Sequence, residues 1–194
     1  KRLILFLITN KVIDIDQSFI KEFDDQIINV KHQDKIEYLM YLFPEIKTVF
    51  PVNIIQNIQI KIKDDLKTFI EKRNIGENDN YICHLIRNDL IEEFTSFVIQ
   101  NNLNLSMKIE SSFYETNTYL MKRIRPTLIE YAAFFGSVKI FDFLLQNQAQ
   151  YSNHFWFYVI HGRNEKLIHL LEQRNIYPND DQYKEGFYRA NHYA

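Results

Sequence analysis

The sequence predicts an all-α protein, and three observations support that fold class. Glycine and proline number only four each among 194 residues, which leaves little turn chemistry for an all-β chain. Apolar residues recur mostly three and four positions apart, which is the period of an amphipathic helix. One sequence pattern typical of a helical hairpin also occurs more than once in the chain, and such self-similarity indicates a repeat architecture. We therefore expect helical hairpins packed in series.

The apolar pattern of residues 1–73 predicts an N-terminal region of three or four helices. Asp16 suits the N-cap of an amphipathic helix because its carboxylate can accept a hydrogen bond from a free N–H of the first turn. The apolar stripe of that helix consists of Phe19, Ile20, Phe23, Ile27 and Ile28. This stripe predicts one buried helix face.

Two further helices are predicted in the same region. Asp34 suits the cap of a helix that carries Ile36, Leu39, Met40 and Leu42. Pro44 should end it because the residue before a proline avoids the α conformation. From Pro51 to Arg73 a helical period predicts a single helix, although residues 59–63 alternate like a strand.

A polar break separates this region from the rest of the chain. Residues 74–80 contain three asparagines, one glycine and two acidic residues, types that favour turns and helix caps. We therefore predict a helical region at residues 1–73 and a second domain at residues 80–194.

The clearest hairpin pattern lies in residues 126–149, which read PTLIEYAAFFGSVKIFDFLLQNQA. Thr127 can cap the first helix, the small pair Ala132 and Ala133 lets neighbouring helices approach closely, and Gly136 supplies a turn with positive φ. The buried stripe of the second helix is predicted to be Ile140, Phe141, Leu144 and Leu145.

This stretch resembles an ankyrin repeat, whose pattern is T-P-L-H-x-A-A-x-x-G-H-x-x-I-V-x-L-L-L-x-x-G-A. The pattern is met at Thr127, Ile129, Ala132, Ala133, Gly136, Ile140, Phe141, Leu144, Leu145 and Ala149. The sequence departs from it at Leu128, Glu130, Ser137 and Gln148.

Two further copies flank this repeat. The later copy matches at an offset of 27 in its second helix, whereas Gly162 matches Gly136 at 26, which predicts a single insertion in the turn. Trp156 is predicted to be buried in its first helix. The earlier copy matches at an offset of 47, which places a long loop at about residues 104–125. The predicted repeats span residues 80–104, 126–150 and 153–176, and another starts at 178–194 with Tyr183, Phe187 and Tyr188 as its buried face.

The order of four motifs extends the resemblance to about residues 35–180. The motifs are IRNDLIEEF, YETN, PTLIEYAAFFGS and WFYVIHG. They are similar to an ankyrin subfamily that is expanded in anaerobic protist parasites and carries an N-terminal helical domain of unknown function. The resemblance implies a right-handed α-solenoid with an N-terminal helical cap, which acts as a protein-binding scaffold.

The composition excludes several other classes. The net charge of −2 provides no global field for nucleic acid or an anionic membrane. Cys83 is the single cysteine, so neither an internal disulfide nor a cysteine-rich zinc module can form, which favours a reducing compartment. The apolar run at residues 3–8 is too short for a signal peptide or a membrane span. We expect a cytoplasmic protein, with cytoskeletal association as an alternative.

No pattern of catalytic or metal-binding residues is present in the sequence. Cys83 and His84 are adjacent, but neighbours on a helix do not face each other, so we interpret Cys83 as structural. His154, His161 and His169 share one repeat without the cysteine or carboxylate spacing of a metal site. Neither a glycine-rich phosphate loop nor a nucleophile elbow occurs. We expect no enzyme activity, no cofactor and no metal.

The candidate protein-binding residues lie where ankyrin proteins present their groove and loop tips. They are Arg123, Arg125, Phe134, Phe135, Ile160, His161 and Arg163. One amphipathic stripe cannot bury both Phe134 and Phe135, so at least one is predicted to be an aromatic anchor for a partner. Packing against Ile160 or the long loop is the competing explanation. Two other functions stay open: a structural part of a cytoskeletal or axonemal assembly, and a module that targets an enzyme encoded elsewhere in a longer chain.

Overall fold

The computed structural model describes residues 2–14, 16, 32–120 and 125–178. For residues 32–36 it describes the backbone alone. Eleven α-helices and no β-strand lie in these residues, which confirms the all-α class. The predicted helix at residues 19–28, Arg123 and the repeat predicted at 178–194, with Tyr183, Phe187 and Tyr188, lie outside the described residues apart from residue 178 itself.

The helices follow in chain order. The first five are α1 (Arg2–Thr9), α2 (His32–Tyr41), α3 (Phe43–Ile46), α4 (Val52–Lys61) and α5 (Leu66–Ile75). The next six are α6 (Tyr81–Arg87), α7 (Ile91–Gln100), α8 (Leu128–Phe135), α9 (Val138–Gln146), α10 (Phe155–Gly162) and α11 (Glu165–Gln173).

The chain divides into two compact units. Unit 1 contains the described residues up to Glu77 together with Phe113–Asn117, and unit 2 contains Asn78–Ser112 and the described residues from Thr118 onward. Each unit has its own apolar core. The core of unit 1 is built from Leu39, Tyr41, Leu42, Phe43, Ile46, Phe50 and Ile58.

The single helix predicted between Pro51 and Arg73 is wrong, because the chain forms α4 and α5 there. Ile62 adopts an extended conformation after α4, and Asp65 becomes the N-cap of α5. The Asp65 carboxylate accepts hydrogen bonds from the N–H groups of Lys67 and Thr68 at 3.0 and 3.1 Å. Bonds from Thr68 lower the pKa of Asp65 because they favour the charged form. An aspartate at a capping position therefore overrode the apolar period.

Of the two predictions about α2, the N-cap is wrong, and the helix end is confirmed but not its cause. Asp34 lies inside α2, which begins at His32, so it is not the N-cap. Helix α2 does end before Pro44, at Tyr41, but Phe43 just before the proline is helical, and Pro44 occupies the first turn of the short helix α3. A proline is compatible with that place because the first-turn N–H has no acceptor within the helix.

Unit 2 consists of helical hairpins whose helices form two rows. In the described residues, α8 packs against both α6 and α10, while α9 packs against both α7 and α11. Within the hairpins, α6 packs on α7 and α8 on α9. Their core includes Ile140, Phe141 and Leu144 as predicted, whereas Leu145 is only half-buried. Cys83 and Trp156 are buried, which confirms their core placement.

The hairpins keep a uniform register, so the predicted insertion at Gly162 is wrong. Helices α10 and α11 reproduce the bounds of α8 and α9 at an offset of 27, both where they begin and where they end. The left-handed residue between the paired helices is Gly136 in one hairpin and Arg163 in the next, with φ of 67° and 49°. Asp89 has the equivalent place in the first hairpin, between α6 and α7, with φ of 50°. Gly162 is instead the last residue of α10.

Helix α8 begins and ends as predicted. Thr127 is its N-cap, and the Thr127 N–H donates to the Glu130 carboxylate at 2.8 Å. Gly136 takes the left-handed conformation after its last turn. Both features follow from residues that the sequence pattern identified.

Candidate protein-binding site: an aromatic strip on unit 2

Three equivalent positions in the hairpins carry large side chains. Arg87, Phe134 and His161 correspond to one another in the repeat alignment, and they occupy the last turns of α6, α8 and α10. All three side chains are half-buried. Because these helices form one row, the three residues share one side of unit 2.

Ring contacts connect these residues. The ring centroids of Phe134 and Phe135 lie 5.2 Å apart in an edge-to-face arrangement, and those of Phe134 and His161 lie 6.4 Å apart. The Arg87 guanidinium carbon lies 6.0 Å from the Phe135 ring centroid, within the range of a cation–π interaction.

The long loop adds Tyr119 to this group. Its ring centroid lies 4.3 Å from that of His161, 5.6 Å from Phe157 and 6.5 Å from Phe134. We call Arg87, Tyr119, Phe134, Phe135 and His161 the aromatic strip. Phe134 therefore does pack against the loop, yet both phenylalanines keep part of their surface in contact with solvent.

A buried layer supports the strip. Tyr131 is 1% exposed, and its hydroxyl accepts a hydrogen bond of 2.8 Å from the Arg87 guanidinium. The same Arg87 nitrogen donates to the Asn78 carbonyl oxygen at 2.9 Å. Phe157 and Tyr158 are buried and make ring contacts with His161 and Phe134, respectively. These contacts hold the strip side chains in place.

The other predicted site residues have different surroundings. Arg125 is exposed and forms a 2.8 Å ion pair with Glu110. Arg163 is exposed and takes the left-handed position after α10, and Ile160 is half-buried. The structure thus joins Phe134, Phe135 and His161 in one contact group, and it adds Arg87 and Tyr119, which the sequence reasoning did not select. The alignment of the first two hairpins contained the signal for Arg87.

A buried carboxylate connects two successive hairpins beside this row. Glu130 is fully buried, and its carboxylate accepts from the Thr127 N–H at 2.8 Å. It also accepts from the Ser152 N–H at 2.7 Å and the Ser152 hydroxyl at 2.5 Å. Hydrogen bonds to a charged acceptor are stronger than neutral ones, so Glu130 fixes the start of α8 to the segment that precedes α10.

Unit 1 contains an open pocket of about 470 Å³. It is lined by Arg2, Leu3, Leu5, Phe6, Thr9, Tyr41, Arg73 and Asn74. Arg73 is committed to a two-armed ion pair with Glu45 at 2.7 and 2.8 Å, and Arg2 donates to the carbonyl oxygen of Asn74. Burial raises the pKa of Tyr41, which keeps this phenol neutral. The charged side chains of the pocket therefore serve the fold.

The described part of the chain contains no group of three or more histidine, cysteine, aspartate or glutamate residues that could hold a metal ion. Among the same residues, every helix is too short or too polar to cross a membrane. Comparison with known proteins found no matching family model, no matching curated protein and no matching solved structure.

Proposed function

We propose that the chain is a non-catalytic protein-binding module of the ankyrin type and that a protein partner binds to the aromatic strip. The uniform register of α8–α9 and α10–α11, with a left-handed residue at the equivalent turn of each hairpin, is the observation that supports the proposal. Repeats of this kind form a right-handed solenoid and present equivalent side chains along one surface.

The composition of the strip suits protein recognition. Tyrosine and arginine are enriched among residues that dominate binding energies, and aromatic rings bury a large area with few rotatable bonds. The strip is half-exposed, so its anchors are accessible without unfolding. We propose that the module acts in the cytoplasm and that its partner is a protein rather than nucleic acid or a membrane.

The proposal is tested by purifying the full-length protein with its partner from the native cell and comparing two variants. Phe134→Ala removes a strip anchor and should weaken partner binding about 30-fold, which corresponds to about 2 kcal/mol for a hot-spot residue. Ile99→Ala is the matched control because Ile99 is 78% exposed on α7, in the other row of helices.

The fluorescence of Trp156, the single tryptophan, reports whether each variant keeps the fold of unit 2. Loss of binding in Phe134→Ala with unchanged tryptophan emission would support the strip. Equal partner affinity for the wild type and Phe134→Ala would contradict it, as would a larger loss in Ile99→Ala.

A further inference from the structure

One segment of the long loop belongs to unit 1 rather than to the unit that surrounds it in sequence. Phe113–Asn117 packs into unit 1, whereas the chain up to Ser112 and from Thr118 belongs to unit 2. We call Phe113–Asn117 the strap. Unit 1 therefore binds a short segment that is distant in sequence from the other residues of unit 1, much as a receptor binds a linear peptide.

Two aromatic side chains anchor the strap. The Phe113 ring centroid lies 6.1 Å from that of Tyr41 and 6.0 Å from that of Phe69. The Tyr114 ring meets Phe69 edge to face at 5.7 Å. Tyr114 is buried, and Phe113 packs on the apolar core of unit 1. Phe69 of α5 thus contacts both rings, and Tyr41 of α2 contacts the Phe113 ring.

The Tyr114 hydroxyl has a specific acceptor. It donates to Asp64 at 2.5 Å, and the Lys72 ammonium binds the same carboxylate at 3.0 Å. The Lys72 nitrogen also lies 5.5 Å from the Tyr114 ring centroid. The hydrogen bond from Tyr114 is the main cause that lowers the pKa of Asp64, because it favours the charged carboxylate. A phenylalanine at this place would fill the same space without binding the charge.

Thr116 is the third anchor. Its N–H and its hydroxyl both donate to the Gly76 carbonyl oxygen, at 3.1 and 2.8 Å. A Cβ on residue 76 would lie 2.7 Å from the Thr116 hydroxyl oxygen, so the glycine makes room for the threonine. Between the anchors, the Glu115 carboxylate accepts from the Asn117 N–H within the strap. Glu115 is itself only 5% exposed, so its side chain is enclosed as well and belongs to the sequence that the site accepts.

We propose that this surface of unit 1, formed by Tyr41, Asp64, Phe69, Lys72 and Gly76, is a peptide-binding site for partner segments with the pattern aromatic–Tyr–Glu–Thr. The strap is its intramolecular ligand. An attached ligand acts at an effective concentration on the order of millimolar, so it competes strongly with a free segment. A partner segment binds when it displaces the strap. Its apparent affinity is therefore lower the larger the fraction of molecules in which the strap occupies the site. This site and the aromatic strip have no residue in common.

The test uses the labelled heptapeptide SSFYETN, which has the sequence of residues 111–117. Its affinity is measured for the full-length wild type and for the Phe113→Ala/Tyr114→Ala variant, in which the strap lacks both aromatic anchors. The proposal expects the variant to bind the peptide at least about tenfold more tightly, because the site is vacated. Equal affinities, or no binding to either protein, would overturn the proposal.

A matched peptide tests the recognition chemistry. A heptapeptide with phenylalanine in place of the tyrosine should bind the vacated variant about tenfold more weakly, because it cannot donate to Asp64. If the variant loses helix content, the tyrosine peptide should restore it in far-ultraviolet circular dichroism, and failure to restore it would overturn the proposal. Indistinguishable affinities of the two peptides would overturn the assigned role of Asp64.

Discussion

Substitution of Gly162 by alanine tests the close packing of α10 against α8. A Cβ on residue 162 would lie 2.1 Å from the Ala133 carbonyl oxygen, whereas ordinary contacts begin at 3.4 Å. The two backbones would have to separate by about 1.3 Å, and a carbonyl cannot rotate away as a flexible side chain could.

Two opposing terms set the size of the effect. Alanine is more favourable than glycine within a helix by about 1 kcal/mol. Overpacking of a well-packed contact costs about 3 kcal/mol at the upper end of its usual range, which applies here because the opposing atom belongs to the backbone. We therefore expect Gly162→Ala to lower the free energy of unfolding by about 2 kcal/mol, opposite in sign to helix propensity alone.

Urea denaturation followed by Trp156 fluorescence measures this change, because Trp156 is the single tryptophan and lies buried in α10. Ser96→Ala is the matched control, since it raises helix propensity at an exposed position of α7. It should change stability by less than about 0.5 kcal/mol. A Gly162→Ala protein as stable as the wild type, or more stable, would refute the close approach of the two helices.

Three further predictions concern buried or strained groups. Glu130→Gln should destabilise unit 2 by about 2 kcal/mol, because both carboxylate oxygens accept hydrogen bonds and the amide nitrogen of glutamine can only donate. An unchanged urea midpoint would contradict this. Gln148→Gly should raise the free energy of unfolding by about 0.5 kcal/mol or more, because Gln148 has a φ of 56° and glycine adopts this left-handed conformation without steric cost. A lower thermal midpoint would contradict this prediction. Tyr114→Phe should destabilise unit 1 fully at pH 7 and progressively less as the pH falls below about 4, because the lowered pKa of Asp64 stabilises the fold above the unfolded-state pKa and that gain is lost as the pH falls through the lower folded-state pKa. Hydrogen exchange of α5 amides measures this last difference, and a difference that grows toward acid would contradict it.

The sequence predicted the parts of unit 2 that depend on local backbone chemistry. The cap at Thr127 and the left-handed turn at Gly136 were found because single residue types report those conformations. The same reasoning failed at Gly162, which was interpreted as a turn residue. Its role is set by contact with Ala133 in another helix, and Arg163 takes the left-handed position instead.

Long-range contacts account for the features that sequence reasoning missed. The strap joins unit 1 across many intervening residues, and no local period reports that Tyr114 reaches Asp64. Tyr119 was likewise hidden in the loop, although Phe134 and His161, which it contacts, were selected. In unit 1, Asp65 broke a convincing apolar period because a capping carboxylate competes locally with continuation of a helix.

The most direct test of partner binding at the aromatic strip is site-specific photo-crosslinking in the native cell. The photoreactive amino acid benzoyl-phenylalanine is introduced at position 134 in one full-length protein and at position 99 in another. The first position lies in the strip and the second is exposed in the other row of helices. We predict that the protein labelled at position 134 forms one dominant crosslinked product with a partner, and that the protein labelled at position 99 does not. Crosslinks to the same partner from position 99 alone would contradict the account.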